Sequence, residues 1–227
     1  KRLPTVEYRA QGRGGKGVKA MATREEDYVE TVFTASTHDS ILFFTNLGKG
    51  YVRKGYRIPE AGRSARGQNI VNIIPTDPGE KVSAMIAGRG VTEDNYLVFV
   101  TRNGTVKRTA QSAFKNIRSN GIRALSLDEG DELISVLQTT GEDKILLATH
   151  DGMAICFAET DARAMGRDAV GVRGIRLREG DYVVGAGIAA EGAAILSITE
   201  NGYGKRTDVG EYSVQNRGGM GLKNYNV

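Results

Sequence analysis

The tetrad Thr-x-x-Gly closes an apolar strand-like run at a period of about fifty residues, at Thr45 and Gly48, Thr101 and Gly104, Thr149 and Gly152, and Thr199 and Gly202. Successive glycines lie 56, 48 and 50 residues apart. A second landmark keeps the same beat, an acidic turn leading into an apolar strand: Glu26-Asp27-Tyr28-Val29, Gly79-Glu80-Lys81-Val82, Gly130-Asp131-Glu132-Leu133 and Gly180-Asp181-Tyr182-Val183. A strand-built repeat of this length predicts an all-β ring of stacked four-stranded sheets, each too small to bury its own face and stabilised by its neighbours.

In the third unit, strands are expected at residues 121–127, 133–137, 145–149 and 153–157, the last two joined as a hairpin through Asp151-Gly152. Asn103-Gly104, Asp151-Gly152 and Asn201-Gly202 suit the left-handed backbone of tight hairpin turns, and Leu47-Gly48 is the weaker example. Thirty glycines against four prolines fit a structure with many turns and uninterrupted ladders, and no long helix is evident. No run approaches the roughly twenty apolar residues of a membrane helix, and the N-terminus lacks a signal-like apolar core, so a cytoplasmic location is expected.

The 227 residues carry a net charge of +4, but the charges are segregated. Residues 1–24 hold seven cations (Lys1, Arg2, Arg9, Arg13, Lys16, Lys19, Arg24) against the single acid Glu7, and residues 102–123 hold six cations and no acid. Once the units stack, one rim should be basic, and a basic rim points to a polyanion. Cations follow the hairpin turns at Arg53-Lys54, Lys107-Arg108 and Lys205-Arg206, and more lie in the connections beyond them: Arg57, Arg63, Arg66, Lys115, Arg118 and Arg123. Phosphate contact is the favoured reading over an edge strand merely protected by charge. The third unit carries Ile155-Cys156 instead, so its rim is expected to be weaker.

The segment Gln11-Gly12-Arg13-Gly14-Gly15-Lys16-Gly17 resembles two nucleotide-binding loops and fits neither. A dinucleotide fingerprint needs an apolar strand before it and a helix after it, and a P-loop needs Gly at position 10 and Ser or Thr at position 17, where Ala10 and Gly17 stand. What remains is a basic loop whose glycines let backbone N–H groups and cations approach a sugar-phosphate backbone, the alternative being a solvated linker leading out of an upstream domain. Catalysis has no constellation to support it. His38 and His150 are expected as turn formers rather than bases, the paired acids Asp128-Glu129 and Asp131-Glu132 belong to a repeating turn, and there is no Trp to form a sugar platform. Two histidines and one cysteine exclude a zinc site, and Cys156 is expected to be a buried side chain.

Residues 11–17 resemble the signature box that opens the C-terminal DNA-wrapping domain of DNA gyrase A subunits, within the type IIA topoisomerase family. Six of seven box positions match. The likeness extends through Thr37-His38-Asp39, Arg66-Gly67, Asn103-Gly104-Thr105-Val106-Lys107, Gly171-Val172-Arg173-Gly174-Ile175-Arg176-Leu177 and Asn201-Gly202-Tyr203-Gly204-Lys205-Arg206-Thr207. The departure is Gly12, where the family carries Arg, which removes one expected phosphate contact. The resemblance implies a β-pinwheel, a ring of four-stranded blades that exchange strands, with duplex DNA bent around its basic outer edge. It implies DNA contacts at Gln11, Arg13, Gly14, Gly15, Lys16 and Gly17, to which Lys19 and Arg217 are added as neighbouring cations. It also implies no cofactor in this domain, ATP and magnesium being used elsewhere in the parent enzyme. The implied partners are double-stranded DNA, the N-terminal cleavage domain of the same polypeptide, and the gyrase B subunit in an A2B2 assembly, with no membrane. One domain is expected over 1–227, with blade units at about 11–62, 63–117, 118–166 and 167–216 and the start of a further blade at 217–227. Family members commonly have about six blades, so a truncated ring is expected. Two alternatives share much of this pattern: the topoisomerase IV counterpart, whose box is usually degraded, and a propeller-like protein-interaction scaffold that needs no basic rim.

Overall fold

The computed structural model describes residues 1–8, 13–15, 17, 19–24, 27–88 and 94–226. The strands are β1 (Ser40–Thr45), β2 (Lys49–Lys54), β3 (Val82–Gly88), β4 (Tyr96–Thr101), β5 (Thr105–Ala110), β6 (Ile122–Arg123), β7 (Leu133–Thr139), β8 (Lys144–Thr149), β9 (Met153–Ala158), β10 (Val172–Arg173), β11 (Val183–Ile188), β12 (Ala194–Ile198), β13 (Gly204–Asp208) and β14 (Leu222–Lys223). Among the described residues the helices are single 3-10 turns, and none is long and apolar enough to cross a membrane.

Three antiparallel four-stranded sheets run β3-β1-β2-β6, β10-β5-β4-β7 and β11-β8-β9-β14, followed by the two-stranded β12-β13. Each complete sheet takes its central hairpin from one sequence repeat, its long strand from the next and its two-residue strand from the one after that. The strands of a single repeat are thereby shared among three sheets: β6 joins the first, β7 the second and β8-β9 the third. Between sheets, β7 packs against β3 on one side and β11 on the other. These long strands therefore lie where the sheets converge, and the short strands β6, β10 and β14 form the opposite, outer edge.

The Thr-x-x-Gly tetrad is the turn of each hairpin. The glycine N–H donates to the threonine carbonyl at 2.9, 3.1, 3.1 and 2.9 Å for Gly48, Gly104, Gly152 and Gly202. The threonine hydroxyl oxygen accepts the N–H of the first residue of the returning strand, at 3.1 Å for Thr105 and 3.2 Å for Met153. The glycines adopt φ of +74 to +82°, while no other residue type has positive φ among the described residues. The loop is thus three residues long with glycine as its left-handed member, and Asn103, Asp151 and Asn201 do not take up the left-handed backbone expected of them. Side-chain size matters here too. The carbonyl of Gly104 accepts the N–H groups of Gly174 and Ile175, and a Cβ at position 104 would lie 2.8 Å from the Ile175 side chain.

The acidic turn completes this hairpin from the neighbouring unit. Asp131 Oδ1 accepts the N–H of Asn103 at 2.9 Å and of Glu132 at 2.8 Å, and Asp181 does the same for Asp151 and Tyr182 at 3.0 and 2.8 Å. The carboxylates therefore satisfy turn amides that would otherwise have no protein partner.

Cores form between sheets, as the small size of each requires. Leu42, Phe44 and Ile86 of the first sheet meet Leu97, Phe99, Leu133 and Val136 of the second, with Phe44 edge-on to Phe99 at 5.2 Å between centroids. Val98, Val100 and Val106 meet Ile145, Leu147 and Phe157 in the next layer. Cys156 is buried, as expected, in a third cluster with Leu146, Val209 and Tyr212, and burial pushes its thiol pKa up.

Two strand expectations are corrected. Residues 121–127 contribute only β6, because Ala124 and Leu125 turn inward to donate to Gly48 O and enter the core. The segment after Asp27 forms no strand, and Tyr28 and Val32 are exposed. The corresponding strands β3, β7 and β11 each pair with the hairpin of the preceding repeat, and no described hairpin precedes β1.

Candidate nucleic-acid interface

The short outer strands give the interface its regularity. In register, Arg123 lies opposite Lys49, Arg173 opposite Thr105 and Lys223 opposite Met153, each partner being the first residue after its Thr-x-x-Gly turn. One exposed cation therefore stands at the same place on the outer edge of all three complete sheets. Consecutive rim segments are tied together by a repeating bond: Ser126 N–H donates to Ala169 O at 3.2 Å, and Arg176 N–H, fifty residues on, donates to Gly219 O at 2.8 Å. Such bonds hold neighbouring cations at a set spacing. Arg173 and Lys223 escaped sequence reasoning that followed the hairpin cations; the signal was the recurring Gly-x-cation at Gly121, Gly171 and Gly221.

The hairpin cations divide differently from expectation. Lys107, expected at the rim, is fully buried, and this is a correction. Its Nζ donates to the carbonyls of Ala124, Gly166 (3.3 Å) and Arg167 (2.8 Å), and it stands 5.2 Å from the Phe99 ring centroid. Burial lowers its pKa to about 8, with Asp168 acting upward and Arg167 downward. Arg108 also turns inward, stacked 4.5 Å over the Tyr96 ring and 3.6 Å from the buried carboxylate of Glu159. Glu159 further accepts the Thr139 hydroxyl at 2.7 Å and the N–H groups of Gly141 and Asp143 at 2.8 Å.

Register explains the error. Lys107 lies opposite Phe99, and the equivalent residues are Tyr51 opposite Phe43 and Ile155 opposite Leu147, all buried. Ile155-Cys156 therefore fills an interior position rather than weakening a rim. Arg53-Lys54 lies two residues further along its strand than Lys107-Arg108, so the pairs are not equivalent. Arg53 is half-buried and donates to Ile73 O and Val52 O, both at 2.8 Å, and Arg217 donates to Asp161 O at 2.8 Å and Arg173 O at 3.0 Å. Both guanidinium groups brace backbone carbonyls.

The exposed members of the expected set are Arg13, Lys19, Lys54, Arg57, Arg63, Arg66, Lys115, Arg118, Arg123, Lys205 and Arg206. Lys54 Nζ donates to His38 O at 3.2 Å, and Arg63 lies 3.7 Å from Glu7. In the glycine-rich loop, Gly14, Gly15 and Gly17 are exposed, with φ of +84° at Gly14 and +71° at Gly17, while Gln11 and Lys16 lie outside the described residues. Lys205 shares the register of Lys107 but is exposed, since no further sheet covers β13 among the described residues.

Residues 1–36, 39–88, 95–140, 143–190 and 194–227 match the family model described as DNA gyrase C-terminal domain, beta-propeller. The chain belongs to the DNA gyrase C-terminal domain family. It is 50% identical over 226 residues to the DNA gyrase A subunit of Staphylococcus aureus (strain NCTC 8325), an alignment covering 98% of this chain and 26% of that protein. The chain thus spans about a quarter of the length of the curated relatives it matches. A solved DNA gyrase A C-terminal domain superposes with a TM-score of 0.80 at 30% identity, covering 98% of this chain and 72% of that one. The C-terminal domain of a DNA topoisomerase IV gives 0.79 at 30% identity, covering 90% and 64%. The E. coli ParC C-terminal domain, at 14% identity and a TM-score of 0.67 over 90% and 84%, shares the fold. The family's beta-propeller description and the strands shared between successive sheets of this chain agree with the β-pinwheel expected from the sequence.

Proposed function

We propose that this chain is a non-catalytic DNA-wrapping module. It binds duplex DNA along the outer edge of its stacked sheets and bends it with a fixed hand, so that a parent gyrase can direct ATP-driven strand passage toward negative supercoils. The observation that carries this reading is the cation repeated at one register position, Arg123, Arg173 and Lys223, on the outer strand of successive sheets. Bending a duplex smoothly by 40 to 90° over 20 to 30 base pairs costs of order 1 to 6 kcal/mol, which only contacts renewed from sheet to sheet can offset. Contacts of this kind position DNA without reading its bases, so little sequence preference is expected. With about eight phosphate contacts, log K should fall against log salt with a slope near −7. The reading implies three partners: double-stranded DNA, the cleavage domain of the same polypeptide, and the gyrase B subunit. ATP and magnesium belong to other parts of such an enzyme.

The deciding experiment is ligation of nicked circular plasmid with bound protein at low salt, followed by removal of the protein and measurement of linking number. A positive shift proportional to protein supports chiral wrapping. Tight binding without a shift means that the chain only coats DNA, and no binding at all favours a protein-interaction ring. The likeness to the topoisomerase IV domain supports a second reading, in which the same DNA-binding surface serves an enzyme that does not introduce negative supercoils. Supercoiling against relaxation by the parent enzyme separates the two.

A further inference from the structure

A lysine clamp occurs twice. Lys107 Nζ reaches the carbonyls of Gly166 and Arg167, and Lys1 Nζ reaches those of Gly62, Arg63 and Ala65 at 2.8, 2.9 and 2.7 Å. The surroundings repeat as well. The residue after each lysine forms a parallel bridge to the approaching rim loop, Arg108 with Ala164 and Arg2 with Glu60. Its carbonyl then accepts the next loop amide, Met165 N–H at 2.8 Å and Ala61 N–H at 3.2 Å. Both clamped loops carry Gly-Arg, Gly62-Arg63 with its arginine exposed and Gly166-Arg167 with its arginine half-buried. An ammonium group is suited to this task because it has three donors and no acceptor, matching three convergent carbonyls. The other equivalent positions in complete sheets lack it: Tyr51 directs its hydroxyl to Glu80, and Ile155 is apolar.

We propose that Lys107 and Lys1 are positioning residues, which hold the Gly166-Arg167 and Gly62-Arg63 rim loops so that their arginines meet the DNA backbone at a set place along the wrap. This rests on the DNA-wrapping reading above. Lys107 touches no phosphate and acts through the loop. Below its pKa it offers three N–H donors, and after deprotonation only two, so the clamp weakens as the solution becomes alkaline. The groups facing it are the carbonyls of Ala124, Gly166 and Arg167, the Phe99 ring, and the charges of Asp168 and Arg167.

The test uses the 227-residue chain as wild type, Lys107→Met, Arg167→Ala and the double variant, each checked for a cooperative melt. Linking-number shift per bound protein is measured at about pH 7 and pH 9, on either side of the lysine pKa. The clamp predicts that Lys107→Met and Arg167→Ala each reduce the shift at least twofold at the lower pH and that the double variant is no worse than the more severe single one. It also predicts that raising the pH reduces the shift in wild type but not in Lys107→Met. Additive losses, or a Lys107→Met protein that wraps like wild type, overturn the clamp and leave the wrapping reading standing. Failure of the wild type to shift linking number overturns the wrapping reading itself. If Lys107→Met does not fold, Lys107→Gln replaces it, and a wild-type shift unchanged between the two pH values overturns the clamp.

Discussion

Residue by residue, the repeated glycines and the buried cation have separable costs. Gly104 and Gly202 both have φ of +82°, but a Cβ would crowd Ile175 at position 104 and meets nothing within 4 Å at position 202. Gly202→Ala should therefore lose only the left-handed penalty, about 1–2 kcal/mol, whereas Gly104→Ala adds overpacking for about 2–4 kcal/mol in all. Urea unfolding measures both. Lys107 gives a pH signature of definite sign. Its pKa is lowered to about 8 from an ordinary value of 10.5, so between those values the unfolded chain holds the extra proton. Stability should rise through that window as the penalty of burying charge is relieved, and the rise should be missing from Lys107→Met. The gain concerns global unfolding, while the local clamp on three carbonyls loosens over the same range.

At the level of elements, the short outer strands and the buried links between sheets do different work. Replacing Arg123, Arg173 and Lys223 together by Gln should make the salt slope shallower by about 3 while leaving the melting transition nearly unchanged, because these side chains lie at the exposed edge. A titration of DNA binding against salt checks this. Glu159→Ala should instead act on stability, by about 3–5 kcal/mol, since it strands the Arg108 guanidinium and removes the acceptor for two backbone amides and the Thr139 hydroxyl. Chemical unfolding separates that loss from any change in salt slope. The hairpins were legible in the sequence because a turn is local: threonine, glycine and the strand return fall within five residues. The extent and pairing of the short strands were not: a strand was expected over residues 121–127, but only Ile122 and Arg123 pair, because β2, some seventy residues earlier, offers an edge there.

Across the whole molecule, stability should follow the number of strands in each sheet. Among the described residues the β12-β13 hairpin has no outer partner on either side and exposes Leu196 and Ile198, whereas the first three sheets enclose the inter-sheet cores. Hydrogen exchange should therefore find its amides the least protected of the strands and those of β4, β5 and β8 the most protected. Comparable protection in β12 would contradict this ordering.

The sequence by itself determined the repeat, the all-β class, the hairpin turns and the gathering of cations, because each depends on residues close along the chain or on composition. Only the tertiary structure decided which cations face outward. Lys107 and Arg123 are both basic residues following a glycine turn, yet one is buried beneath three carbonyls and the other exposed on an outer strand. That difference arises from strands exchanged across repeats. The packing that buries Lys107 comes from residues 17 and 60 positions away, and the hairpin that holds Arg123 outward comes from two repeats before it. Cross-strand register, which has no local code, sorted the charges into those that hold the ring together and those that remain on its surface.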